Sequence, residues 1–131
     1  MNYFLLAFSN YFNFSTRSRR KEYWYFVLFS FIFGAFFSFM DIYFNLPKVI
    51  FYEIKNVTIF DFGLLYFLFF IFTFIPSISL GARRLHDIGK SGWWQLLDFI
   101  PIIGWIVLLV WAITEGEFED NKWGINPKKI N

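Results

Sequence analysis

Apolar positions in this chain gather into three long runs, residues 23–40, 62–80 and 93–113, each bracketed by charge. Each run has about the ~18–20 residues that cover ~30 Å of hydrocarbon at 1.5 Å per residue. The pattern predicts an all-α integral membrane protein with three transmembrane helices, in a single membrane domain over residues 1–131. Ahead of them, residues 1–14 are aromatic but short. On a helix, Phe4, Leu5, Phe8, Tyr11 and Phe12 share one face, which suits a short interfacial helix in the headgroup plane; the plainer reading is a loosely ordered tail. Residues 41–61 are polar, with Pro47 and Lys48, yet Val49-Ile50-Phe51-Tyr52 would let the segment lie partly on the membrane surface. Asn56-Val57-Thr58 forms a glycosylation sequon of little weight. Pro76 is expected to kink the second span. Trp93-Trp94 opens the third at the depth indoles prefer. Pro101-Ile102-Ile103-Gly104 is the weak point: it could turn the third run into a re-entrant hairpin and bring the polar tail, residues 114–131, back to the side it left.

Composition supports a lipid environment. The chain is 57% hydrophobic and its mean hydropathy is +0.47, more apolar surface than a small soluble domain hides when only ~60–70% is buried. The 22 phenylalanines are read mainly as compositional bias. With no cysteine, disulfides and thiolate chemistry are excluded. One histidine leaves no zinc or di-metal set; no metal and no cofactor are expected. A net charge of +2, placed at span edges, does not suggest nucleic acid. Ser18-Arg19-Arg20-Lys21 resembles a twin-arginine signal only superficially, since the apolar run after it is too long and lacks a small-residue cleavage site. An uncleaved anchor is expected, and the start Met1-Asn2 lacks the glycine for myristoylation.

Lysine and arginine counts near the spans set orientation. With the N-terminus inside, Arg17, Arg19, Arg20, Lys21, Arg83, Arg84 and Lys90 fall inside, and Lys48, Lys55, Lys122, Lys128 and Lys129 outside. For three spans this gives N-in and C-out.

Several constellations invite a functional reading. Ser30, Gly34 and Ser38 form a small-residue stripe on the first span, and Thr73, Ser77 and Gly81 another on the second; such stripes let helices approach closely in lipid, and these two faces are expected to meet, within one chain or between chains. Arg83-Arg84-Leu85-His86-Asp87 is the densest polar cluster. Arg83 and Asp87 would pair at i, i+4 if helical, and the bland reading is a positive anchor at a helix end. Asp98, the acidic residue inside a predicted span, should find an arginine partner from the hinge or from Arg83 or Arg84. Gly89-Lys90-Ser91 fails as a phosphate loop, because position 84 is arginine where that motif needs glycine. No catalytic set emerges.

Taken in order, Ser18-Arg19-Arg20-Lys21-Glu22-Tyr23-Trp24, Arg83-Arg84-Leu85-His86-Asp87 with Ser91-Gly92-Trp93-Trp94, Pro101-Ile102-Ile103-Gly104, and Gly116 with Asn121-Lys122-Trp123-Gly124-Ile125-Asn126-Pro127 resemble the bacterial inner-membrane YhaH/YhaI-like family, domain of unknown function 805. The resemblance implies a multi-pass protein of the bacterial cytoplasmic membrane and brings no activity with it. The leading expectation is a non-enzymatic envelope protein that binds a membrane partner, itself or anionic lipid. Arg19, Arg20, Arg83 and Arg84 would form an inner-face anion site shaped by His86, Asp87 and Asp98. The alternatives are an oligomeric transport or pore component using Asp98, and a lipid-headgroup enzyme using His86 and Asp87.

Overall fold

Two of the apolar runs become helices long enough to cross a bilayer. In the computed structural model, which describes residues 3–54 and 57–129, α2 covers Arg20–Tyr43 and α3 covers Leu64–Asp87, 24 residues each. That is ~36 Å at 1.5 Å per residue, against a hydrocarbon core of ~30 Å. Side chains such as Phe31, Phe39, Ile71 and Phe72 are exposed along them, as lipid-facing residues must be. Pro76 lies inside α3 and is buried. A seven-residue helix, α1 (Tyr3–Ser9), precedes them.

The chain divides into two units, Met1–Val27 with Ile75–Asn131, and Leu28–Phe74. In the second unit the polar segment after α2 is not a loop. It is an antiparallel hairpin of β1 (Lys48–Ile54) and β2 (Val57–Gly63), with Lys48 opposite Gly63 and irregular register around Tyr52. Val, Ile, Tyr and Phe dominate both strands, a composition that fits a pleated surface, so the all-α expectation holds only for the helical majority. Lys55 and Asn56, and with them the glycosylation sequon, lie outside the described residues. Asp41, in the last turn of α2, accepts from the amides of Leu65 and Tyr66 at 2.9 Å each and so caps the N-terminus of α3, where unpaired amides favour an anion. A Cβ on Gly63 would sit 2.1 Å from Asp41 Oδ2, so the approach requires glycine.

In the first unit the third apolar run is not one helix. It forms a 3₁₀ helix, Gly92–Phe99, then α4, Ile103–Ile113. Pro101 and Ile102 break the run: Ile102 has φ 69° and ψ −69°, and the Ile103 amide donates to Pro101 O at 2.8 Å. This is a γ-turn with positive φ at its centre, a strained geometry for a β-branched residue. Beyond it the chain doubles back. Trp94 meets Trp111 edge to face at 5.7 Å, Trp105 Nε1 donates to Asp98 O at 3.0 Å, and a Cβ on Gly104 would lie 1.9 Å from Leu97 O. α4 has 11 residues, ~16 Å at the same rise, about half of the bilayer core.

Candidate functional site: a buried ion-paired cluster

The C-terminal end of α3 carries the charge, and the rest of the first unit closes around it. Ala7, Phe26 and Leu80 form a small apolar core, with Phe4, Phe8 and Tyr23 packed against it. Thus α1 turns Phe4 and Phe8 inward, whereas Leu5 and Phe12 remain exposed. Ser79 Oγ, fully buried, reaches the carbonyls of Asn10 and Asn13 at 3.1 and 2.7 Å. The hinge then lies along α3, with the Ser18 amide donating to Arg83 O at 3.1 Å.

Asp87 is the centre of the cluster. Its carboxylate accepts from Arg17 Nε at 3.0 Å and from Arg84 Nη1 at 2.7 Å, and all three side chains are 5% exposed or less. The Arg17 guanidinium also donates to Glu119 O at 2.8 Å and Glu117 O at 2.6 Å. Arg84 donates to Ala112 O at 3.2 Å and to Thr114 O. Arg83 does not pair with Asp87; it reaches across to Glu22 in the first turn of α2, 2.7 Å away, while its Nε and Nη2 are buried without a partner. The i, i+4 expectation fails because Asp87 is drawn to Arg84, three residues back, and to the hinge. Arg19 donates to Pro127 O, and Arg20 to Ile113 O and Glu115.

The tail completes the end of α3. The Glu117 amide donates to Asp87 O at 2.8 Å and Asn121 Nδ2 to His86 O at 3.0 Å, so tail groups satisfy carbonyls that a helix end leaves open. Gly89, at φ 75°, turns the chain out of the helix. A Cβ on Gly116 would lie 2.0 Å from Asp87 Oδ2, so only glycine lets the tail come this close. Asn126 Nδ2 holds the tail loop through Glu117 O and Phe118 O. Outside the helices, Glu115 is held below the usual carboxylate range first by its hydrogen bond from Lys128 and then by Arg20. Asp120 is held low by the Asn126 amide and Lys129.

His86 is engaged on both ring nitrogens. Nδ1 lies 3.2 Å from Thr16 O and must donate there, and Nε2 accepts from the Gly92 amide at 3.3 Å. Its ring stacks on Trp123 at 4.6 Å. Asp87, bound by two arginines, is equally occupied. Asp98 makes no ion pair among the described residues; it lines a cavity of about 80 Å³ with Arg84, Tyr23 and Gln95. The small-residue positions also separate. Gly34 faces Tyr66 and Phe69, whereas Gly81 faces Gln95 of the 3₁₀ helix; Thr73 turns its hydroxyl back on Phe69 O, and Ser77 is exposed. Ser30 and Ser38 line a groove in the second unit.

Sequence reasoning missed two members of this arrangement, Arg17 and Glu22, and in the second unit the Asp41 cap on α3. Arg17 counted only as an orienting charge, Glu22 only as part of a motif, and Asp41 only as the start of a polar stretch. Arg17 and Glu22 could have been sought as counter-charges for Asp87 and Arg83, since buried charges need partners.

The 3₁₀ helix starts where α3 ends: Gly92 sits against His86 and Ala82. α4 ends at the same place, where Ile113 O meets Arg20 and Thr114 O meets Arg84. The third run therefore returns to its starting end and leaves the tail beside the basic hinge, not at the opposite end that the three-span pattern implied.

Membrane-length helices closed at one end by an ion-paired cluster define a small integral membrane protein. The chain belongs to the family described as Protein of unknown function (DUF805), whose sequence profile matches residues 11–125. It is 40% identical over 128 residues to inner membrane protein YhaI of Escherichia coli (strain K12), covering 98% of this chain and 97% of that one. It is 34% identical to inner membrane protein YhaH of the same strain, covering 98% of each. No solved structure matches. Its relatives are proteins of the inner membrane, and the cytoplasmic membrane is where this chain belongs.

Proposed function

We propose that this protein is a non-enzymatic component of the bacterial cytoplasmic membrane that crosses the bilayer through α2 and α3, keeps both hinge and tail in the cytoplasm, and binds a membrane partner or anionic lipid at that face. The observation that carries the reading is the closure of the hinge, the end of α3 and the tail on Asp87. A third full span would part the tail from the hinge. The 3₁₀ helix and α4 then act as a hairpin that enters and leaves by one face. Placing Lys122, Lys128 and Lys129 inside leaves only Lys48 and Lys55 outside, which strengthens the positive-inside bias.

Arg17, Arg19 and Arg84 direct their donors inward, so contact with anionic lipid falls to exposed cations at the rim, Lys21 and Lys122. The absence of cysteine makes a direct test simple. Single cysteines replacing Lys21 and Lys122 are expected to resist an impermeant thiol reagent in intact cells, and a cysteine at Asn45 to react. Labelling of the Lys122 position from outside overturns the topology. For the binding half, K21A/K122A is expected to retain several-fold less phosphatidylglycerol on purification, and unchanged retention ends that half.

The pore reading draws on the cavity beside Asp98. It predicts that Asp98→Asn abolishes ion flux in proteoliposomes. The headgroup-enzyme reading gains no support from His86, whose two nitrogens are both occupied.

A further inference from the structure

The second unit contains a groove of about 690 Å³ beside α2, within the ~300–1,000 Å³ typical of small-molecule sites. One wall is the small-residue side of α2: Ser30, Gly34, Ala35 and Ser38. Gly34 is buried at the approach to Tyr66, but Ala35 and Ser38 remain exposed, so small side chains here leave space instead of closing it. Ser30 Oγ is buried in this wall without a hydrogen-bond partner. At the C-terminal end of α2 the rim becomes polar, with Asn45 and the Lys48–Asp61 ion pair at 2.7 Å. Asp41 is already committed to the α3 amides. A second, apolar pocket of about 330 Å³ shares Phe62 and Tyr66 with the groove.

We propose that this groove holds a membrane phospholipid with a dipolar headgroup of the phosphoethanolamine type. Lys48 receives the phosphate, Asp61 receives the ammonium, and the acyl chains lie along α2 and in the pocket beside Tyr66. Three observations favour a lipid over a helix from a second copy. The wall from Ser30 to Ile42 runs ~18 Å at 1.5 Å per residue, a little over one leaflet of a ~30 Å core, whereas a crossing helix needs the whole thickness. With Asp41 held by the α3 amides, the remaining charges at the rim are one of each sign, Lys48 and Asp61, which matches a dipole and offers a purely anionic head a carboxylate as well as a cation. The Lys48–Asp61 pair is solvent-exposed, and such pairs are weak, so a ligand can exchange into it. This site is built from residues of the second unit alone and does not depend on the cationic rim at Lys21 and Lys122.

The test uses the full chain in nanodiscs with phosphatidylethanolamine carrying a photoactivatable acyl chain, and maps the adducts by mass spectrometry. Adducts are expected to concentrate on α2 residues 30–42 and on Tyr66, and to fall several-fold in A35L/S38L, which fills the groove. K48A/D61A alters only the exposed pair and is expected to remove the preference over an equivalent phosphatidylglycerol probe. It carries the test if the filled variant does not fold. Three results overturn the proposal: wild-type labelling in the filled variant, equal labelling by both probes in the unaltered chain, or efficient disulfide joining of two chains through a single cysteine placed at Ser38.

Discussion

Asp87 shows how much depends on a single side chain. It is the counter-ion of both Arg17 and Arg84, and neither arginine has solvent to fall back on. Breaking a buried ion pair from one side costs about 3–5 kcal/mol, because the remaining charge stays buried without compensation. Asp87→Asn keeps the shape and removes the charge, so it is expected to destabilise the protein by about that amount. Unfolding in mixed detergent micelles, followed by tryptophan fluorescence, measures it; a loss below about 1 kcal/mol would mean that the carbonyls of Glu117, Glu119 and Thr114 suffice to hold the guanidiniums. Arg83 makes the complementary point, since with Nε and Nη2 unpartnered it depends wholly on Glu22.

Among the elements, the broken third run is the least ordinary. The hydrophobic pattern of residues 93–113 is that of a span, and hydrophobicity alone cannot distinguish one crossing from two half-crossings of the same composition. Pro101 and Gly104 carried the signal of a break. The decisive features are local: Pro101 removes a donor, Ile102 takes positive φ, and Gly104 admits Leu97 O where any side chain would collide. A left-handed conformation costs a non-glycine residue roughly 1–2 kcal/mol, and glycine gives back about 0.5–1 in chain entropy. Ile102→Gly is therefore expected to stabilise the turn by up to about 1 kcal/mol, the more readily because the side chain is exposed. Gly104→Ala should lower the melting temperature clearly. A continuous helix through 93–113 would give the reverse order, with glycine harmful and alanine helpful. The β-hairpin was hidden for a different reason: residues 48–54 and 57–63 mix charge with β-branched and aromatic residues, and Pro47 and Lys48 gave the segment the look of a surface loop.

For the whole molecule, the helices that meet the bilayer were plain in the sequence, because length and apolarity alone decide them. The cluster was legible only as separate words. Ser18 to Trp24, Arg83 to Asp87, Pro101 to Gly104 and Gly116 to Pro127 carried the family resemblance, and three of these four blocks meet around the C-terminal end of α3 while the other makes the reversal that brings them together. What pairs with what was not legible, since most partners of the arginines are backbone carbonyls, to which every residue type contributes alike. The tail's attachment has a pH signature. Glu115 and Asp120 titrate below their ordinary range in the folded chain, so the unfolded chain takes up protons first as pH falls. Their contribution is complete above the unfolded values of about 4 and is lost as pH drops through the lower folded ones. Amide exchange at residues 115–127 is expected to stay slow from neutral pH down to about 5, after correction for intrinsic rates, and to rise selectively below about 4. Uniform exchange across that range would mean that these carboxylates do not fasten the tail.

The order of synthesis gives the cluster two successive roles. Arg17 leaves the ribosome about 70 residues before Asp87 and roughly 100 before the carbonyls of Glu117 and Glu119, which at about 5–20 residues per second is an interval of several seconds. Throughout it the guanidinium lacks both partners, and in the proposed topology it is then a cation of the kind that resists translocation and biases which way α2 enters. Only when the last segment arrives does that charge become an interior ligand. In that topology the residue that orients the nascent chain is later used to lock it, and translation itself separates the two uses in time.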